Sequence, residues 1–373
     1  MGPFRRGALQ VRTASKAYPI HLGEEPAADV FRGILERFAN RKIAVITDSH
    51  LAGAYQDALH GAFADAGREM DLLILPAGER SKTRGVKEKI EDALLERKYD
   101  RGCLLIALGG GVVGDLVGFT AATYLRGVSF VQVPTSLLAM VDSSVGGKTG
   151  VDTPFGKNLV GAFWQPEAVY LSIDFLKTLP PAEFLQGFGE ILKYGFIMSP
   201  SLDRRLAKDR EAILGGDPAA LLPVIRESLA IKRDVVGKDE RETGGLRRTL
   251  NFGHTAGHAI ELLSRYRLSH GLCVSIGMAI EADVSVRMGL LAPAARDTIK
   301  ERLRSYGLPV SVPRAMGFPA LYSAMLSDKK SGADGVKLTL LDRLGHCAKG
   351  PAKDYAIPVP QKILAEAFAG ARK

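Results

Sequence analysis

Cys103-Leu104-Leu105-Ile106-Ala107-Leu108-Gly109-Gly110-Gly111-Val112-Val113-Gly114-Asp115 is the stretch on which the fold turns. Six apolar residues in a row read as a buried parallel strand, and a glycine turn then opens an apolar helical stretch. The turn matches G-x-G-x-x-G, which presents bare backbone N–H groups at a helix N-terminus, where phosphate binds well. A Rossmann domain would place an acidic residue about twenty positions later. Val133-Pro134-Thr135 stands there instead, with no carboxylate. Asp48, directly after the first strong strand, is the candidate for the ribose, and a glycine turn with no ligand is the bland alternative.

Outward from that turn, short β-branched runs alternate with helical stretches. Ile43 to Thr47, Leu72 to Leu75 and Val128 to Val133 read as further buried strands. Such alternation predicts βαβ units and a parallel sheet. From Pro180-Pro181 onward helical periods dominate, with a lone strand expected over Val336 to Leu341 and a terminal helix around Ile363 to Phe368. The expected organisation is an α/β nucleotide-binding domain over 1–179, then a mostly α-helical metal- and substrate-binding domain over 180–373, with the active site between them.

Composition narrows the classes. No apolar run is long enough to span a bilayer, and the N-terminus lacks the apolar core of a secretory signal. Three widely spaced cysteines, Cys103, Cys273 and Cys347, argue against a disulfide framework and for the cytoplasm. The net charge is +9, from 50 Lys+Arg against 41 Asp+Glu. The basic residues are scattered and not interleaved with aromatics, so an anionic small molecule suits them better than nucleic acid.

Between Arg126 and Asn158, glycine-rich loops carry Asp142, Ser143, Ser144, Lys148, Lys157 and Asn158. Any one loop lysine is more often simply solvated, but the set suits a phosphate. Glu190 and Lys193 share a helix face, as a surface ion pair also would. In Asn251-Phe252-Gly253-His254-Thr255-Ala256-Gly257-His258, two histidines lie four apart, and His270 follows. Spacing alone names His254 and His258 as a chelating pair, without the Glu of a metalloprotease motif. Two polar histidines and no metal is the competing reading, and spacing alone does not decide which two histidines bind.

Taken together, GGGVVGDLVGFTAATYLRG, QVPTSLLAMVDSSVGGKTGVDTPFGKNLVGAFWQP, LKTLPPAEFLQGFGEILKYG, DERETGGLRRTLNFGHTAGHAIE and HGLCVSIGM resemble the dehydroquinate synthases among the sugar-phosphate cyclases. The resemblance runs from about Ile43 to Leu344. It implies an NAD domain, a helical domain, a homodimer and a divalent metal, zinc or cobalt, held by Glu190, His254 and His270, with His258 turned toward substrate. It implies NAD contacts at Asp48, Glu79, Lys82, Gly110, Gly111, Asp115, Thr135 and Ser136. For a phosphorylated sugar acid it implies Asp142, Lys148, Asn158, Lys193, Lys232, Arg247, Asn251 and His258, closed over by Lys329 or Lys330. Arg126 matches an arginine that reaches the neighbouring subunit's site. The implied chemistry is transient oxidation by NAD, phosphate elimination, reduction and an intramolecular aldol closure.

Two departures stand near the pocket: Leu272 where the family commonly has glutamate, and an extra residue in Thr243-Gly244-Gly245 before Arg247. Rival expectations are a sister cyclase of amino-dehydroquinate or specialised metabolism, a metal-dependent polyol dehydrogenase, and an inactive NAD-binding scaffold. The dehydrogenase has no need of the lysines, and the scaffold would be missing a ligand.

Overall fold

A computed structural model describes residues 8–326 and 335–372. The chain packs as two compact units; the first runs to Pro180 and takes in Lys232–Gly237, and Pro181–Ile231 and Lys238–Lys373 form the second.

The first unit contains β1 (Leu9–Arg12), β2 (Ala17–Gly23), α1 (Ala27–Arg37), β3 (Ile43–Asp48), α2 (Ser49–Asp65), β4 (Asp71–Leu75), α3 (Arg84–Glu96), β5 (Leu104–Gly109), α4 (Gly111–Thr123), β6 (Ser129–Pro134), β7 (Lys148–Thr153), β8 (Gly156–Phe163) and β9 (Ala168–Ser172). Seven strands form one sheet in the order β1-β2-β9-β6-β5-β3-β4, parallel except for the β1–β2 pair. Every residue of β5 is buried, as the unbroken apolar run demands. Its core joins Ile46, Leu105 and Phe130 from the strands to Val113, Leu116 and Val117 of α4.

After β3 the chain moves outward to β4, and after β5 it moves the other way to β6. The winding direction therefore switches between β3 and β5, and the crevice at the carboxyl ends of such strands is where open α/β sheets bind ligands. The Thr47 hydroxyl donates to the Leu108 carbonyl at 2.8 Å and ties the two strand ends together. Asp48 and the Gly109–Gly111 turn, far apart in sequence, flank that crevice.

The second unit is mostly helical: α5 (Pro181–Ile197), α6 (Pro200–Lys208), α7 (Arg210–Leu214), most of α8 (Pro218–Lys238), α9 (His254–Leu263), α10 (His270–Arg287), α11 (Pro293–Ser305), α12 (Phe318–Leu326) and α13 (Gln361–Ala371). Four short strands, β10 (Lys337–Leu338), β11 (Leu341–Arg343), β12 (His346–Cys347) and β13 (Ile357–Pro358), pair as β10–β13 and β11–β12. The lone strand expected over Val336 to Leu341 is thus two short strands in separate pairs. From Cys273 to Ser285, α10 is buried on every side, with Ile276, Ile280 and Val284 packed among Ile260, Leu321 and Phe368.

A second correction concerns the glycine-rich segment before Asn158. It is not merely loop: Lys148–Thr153 and Gly156–Phe163 form an antiparallel hairpin. Among the described residues, no helix is long and apolar enough to cross a membrane.

Candidate active site

In the first unit, α4 starts at Gly111 with Gly110 as its N-cap and no side-chain cap. Its first N–H groups are left for a ligand by the absence of any capping side chain. A Cβ on Gly111 would come within 3.1 Å of the Ser143 hydroxyl, and one on Gly110 within 3.4 Å of the Ser136 hydroxyl. The glycines keep that space clear, as a pyrophosphate-binding turn requires. Thr135 is buried and donates its N–H to the Gly109 carbonyl at 3.1 Å. The Asp48 carboxylate caps α2, accepting from His50 N at 2.9 Å and Leu51 N at 3.1 Å.

Sequence-distant charges meet beside this turn. Lys82, buried, lies 2.6 Å from Asp115, and Lys157 lies 3.0 Å from Glu79. Asp152 on the hairpin donates its N–H to the Lys82 carbonyl at 2.7 Å and accepts from Asn158 N at 3.0 Å. Asn158 adopts a left-handed φ of 54°, which asparagine tolerates better than most residues. Burial works to lower the Lys82 pKa, but the Asp115 carboxylate, with Glu79 and Asp152, outweighs it and holds the ammonium protonated. Lys232 lies 2.6 Å from Asp142, while Lys148 stands exposed at the start of β7. Arg126 is exposed on a turn where Leu125, Arg126 and Gly127 all have positive φ, a strained conformation for the two non-glycine residues.

In the second unit three helices meet at one nest. Glu190 from α5, His254 from α9 and His270 from α10 offer donor atoms all within 4.8 Å of one another. Glu190 Oε1 is 3.4 Å from Nε2 of both histidines. His254 Nδ1 lies 3.3 Å from the Phe252 carbonyl. As a donor there it leaves the Nε2 lone pair aimed at Glu190, the tautomer a metal ligand needs. His270 Nδ1 lies 3.5 Å from the buried Glu261 carboxylate, the carboxylate–imidazole arrangement common behind metal-bound histidines. One carboxylate and two imidazoles suit a divalent transition metal with open positions.

Lys193 is 1% and Glu190 0% exposed, and the ammonium donates to Glu190 Oε2. They are therefore no surface ion pair. The His258 ring lies 5.3 Å from His254 and 5.9 Å from His270, centroid to centroid. Arg247 is buried and its guanidinium donates to the Glu240 carbonyl; Asn251 donates to Glu242 at 3.1 Å. Before Arg247 the chain makes a left-handed turn at Gly245, which the Asp239 carboxylate fastens through Gly244 N and Arg247 N, both at 2.9 Å. Lys329 and Lys330 lie outside the described residues.

A 3-dehydroquinate synthase N-terminal family model matches residues 72–186, and the corresponding C-terminal model matches 187–331. The chain is 44% identical over 341 residues, 91% of its length and 92% of the relative's, to the 3-dehydroquinate synthase of Acidithiobacillus ferrooxidans. The chain belongs to the 3-dehydroquinate synthase family. Its fold is shared with solved sugar-phosphate cyclases. A 2-deoxy-scyllo-inosose synthase complexed with carbaglucose-6-phosphate, NAD+ and Co2+ superposes with a TM-score of 0.88 at 23% identity, covering 98% of this chain and 100% of that one. The 2-epi-5-epi-valiolone synthase of Streptomyces hygroscopicus subsp. jinggangensis, with NAD+ and Zn2+ bound, gives 0.85 at 24% identity, covering 98% and 99%.

Residues that motif reading did not single out surround the group of Glu190, His254 and His270. Glu261 stands behind His270, and glycines let the helices touch. A Cβ on Gly271 would fall 2.0 Å from the Gln186 carbonyl, and one on Gly189 2.7 Å from the Gly271 carbonyl. Backbone contact between α5 and α10, beside Glu190 and His270, is what brings those two side chains together. The only advance signal was glycine adjacent to each ligand in sequence.

Charge sets a pH dependence. Burial tends to depress the His270 pKa, yet hydrogen bonds and charge from Glu190 and Glu261 outweigh it and push it up to about 10. In the cation-free fold this contributes stability that is full below about 6.5 and lost as pH rises through about 10. Cation binding at Nε2 must expel that proton. Between pH 7 and 9, Co2+ affinity is expected to rise about tenfold per pH unit, with about one proton released per ion. Calorimetry in buffers of different ionisation enthalpy checks this; a pH-independent affinity contradicts it.

Proposed function

We propose that this enzyme converts 3-deoxy-D-arabino-heptulosonate 7-phosphate to 3-dehydroquinate and phosphate, using NAD held by the first unit and a divalent cation, zinc or cobalt, held by Glu190, His254 and His270. The observation that carries this reading is the Lys193 ammonium buried in contact with Glu190, in a family member. A simple polyol dehydrogenase needs no such cation beside its metal. Bound NAD supplies reversible hydride acceptance, and the cation supplies Lewis-acid polarisation of the oxygen that changes oxidation state.

The chain's own groups handle the phosphate and the protons. Lys193 cancels the charge of Glu190, so a bound divalent cation brings its full positive charge to an anionic substrate. Lys148, Lys193, Asn158 and His258 are the donors for the leaving phosphate, where negative charge develops. Arg247, Lys232 and Asn251 hold the sugar acid, with Lys329 or Lys330 completing the enclosure. Asp142, Asp115 and Glu190 each face a lysine. Each of these carboxylates is already engaged by an ammonium, which leaves it poorly placed to take a proton from substrate, although burial pushes the Asp115 pKa up. The departing phosphate takes the proton itself. For the cofactor, Gly110, Gly111, Thr135 and Ser136 receive the pyrophosphate, with Asp48, Glu79, Lys82 and Asp115 around them.

Arg126, carried on its strained and exposed turn, reaches the partner active site of a homodimer. The three cysteines are buried and in no disulfide, which fits a reducing cytoplasm and a place in aromatic amino-acid biosynthesis through the shikimate pathway. With the seven-carbon keto-acid phosphate, NAD and Co2+, phosphate is expected to accumulate to many equivalents per enzyme while NADH absorbance stays below one equivalent. NADH rising in step with substrate consumed would mark a dehydrogenase. Turnover only of a neutral ketose phosphate would mark a sister cyclase.

A further inference from the structure

Resting on the cation assignment above, we infer that Glu281 is a positioning residue of the metal nest: from α10 it caps the N-terminus of α9 and so holds His254 toward Glu190. Both imidazole ligands are the first residues of their helices, His254 of α9 and His270 of α10. The first turn of a helix carries orphan N–H groups and frays most easily. A ligand in that position needs its helix end secured.

The chain has closed off the ordinary solution for α9. Its N-cap is Gly253, left-handed at φ 80° and without a side chain to accept hydrogen bonds. Glycine is required there, because a Cβ would lie 2.8 Å from both Met278 N and the Val274 carbonyl of α10. A serine or aspartate cap is thus sterically excluded by the same helix contact that positions the nest. The cap comes from across that contact. Glu281, 0% exposed, accepts from Gly253 N at 2.6 Å through Oε2 and from Ala256 N at 3.4 Å through Oε1. In a capping box two side chains satisfy the N-cap and N3 amides reciprocally. Here one buried carboxylate from a neighbouring helix serves both.

Charge gives Glu281 a second effect on the same ligand. A cation bound at His254 sits at the positive end of the α9 dipole, which disfavours it. A carboxylate on that helix end offsets the repulsion. Glu281 therefore couples to the cation through geometry and through charge without touching it.

The test uses full-length enzyme with Glu281→Gln and Glu281→Ala. Amide exchange at residues 253–256 is followed in the metal-free protein, while Co2+ affinity and d–d absorption bands are measured with NAD bound. Faster exchange at 253–256 is expected in both variants. Co2+ binding should weaken about tenfold in Gln, which keeps one acceptor, and toward a hundredfold in Ala, with shifted bands and unchanged NAD affinity. Unchanged exchange in a folded variant overturns the inference. So does faster exchange with wild-type Co2+ affinity and bands, or loss of NAD binding in proportion to Co2+ binding. Should the Ala variant not fold, the Gln variant decides. Failure of the wild-type chain to take up Co2+ would sink the cation assignment, and the exchange measurement would still decide the capping.

Discussion

Glu190→Ala is expected to lower phosphate release by at least about a thousandfold, to strip the bound cation and to destabilise the second unit. A metal ligand contributes several kcal/mol of charge stabilisation in the transition state, and about 4 kcal/mol corresponds to a factor of a thousand. The stability loss has a separate origin. Lys193 is 1% exposed and donates to Glu190, so removing the carboxylate strands a buried ammonium. Breaking a buried pair from one side costs about 3–5 kcal/mol, whereas replacing both members by apolar groups of similar volume is often neutral. The double variant Glu190→Leu with Lys193→Met should therefore recover most of the melting temperature and none of the metal or activity. Elemental analysis, thermal unfolding and phosphate release separate the two effects. Full metal content and turnover in Glu190→Ala would remove Glu190 from the nest.

Strands β3, β5 and β6 announced themselves because a parallel strand buried on both faces must be largely apolar. The hairpin of β7 and β8 did not. Its Lys148, Asp152, Lys157 and Asn158 read as loop chemistry, and the pairing is won by tertiary contacts such as Asp152 N to the Lys82 carbonyl. β2 and β9 pair with each other across almost 150 residues of sequence, a relation no local pattern carries. The glycine turn was readable because its chemistry is local. That Asp48 flanks the same crevice depends on strand order.

In the second unit, i,i+4 spacing singled out His254 and His258, because spacing reports neighbours on one helix only. The group Glu190, His254 and His270 draws one donor from each of three helices, and His258 falls in a second group with Glu261 and His270. Its supporting carboxylates escaped notice for a related reason. Acidic residues within a helix ordinarily mark the solvated face, but α10 has no solvated face around Glu281, and α9 turns Glu261 inward.

Gly271→Ala is expected to abolish cation binding although it alters no ligand. The added Cβ would lie 2.0 Å from the Gln186 carbonyl oxygen and 2.7 Å from its carbon, both backbone atoms of α5. No rotamer change relieves such a contact, so α5 and α10 must move apart by an ångström or more. Glu190 and His270, one residue or a few from the contact, then separate beyond shared coordination. Overpacking of this kind costs about 1–3 kcal/mol. Gly53→Ala supplies the opposite sign. It lies exposed within α2 with nothing within 4 Å of its Cβ position, and alanine there should stabilise by about 0.5–1 kcal/mol. Co2+ titration of both variants, with melting temperatures, is the check. If Gly271→Ala held Co2+ as tightly as the unaltered chain, the α5–α10 backbone contact would not be what sets the ligand geometry, and the nest would tolerate helix displacements that rigid coordination forbids.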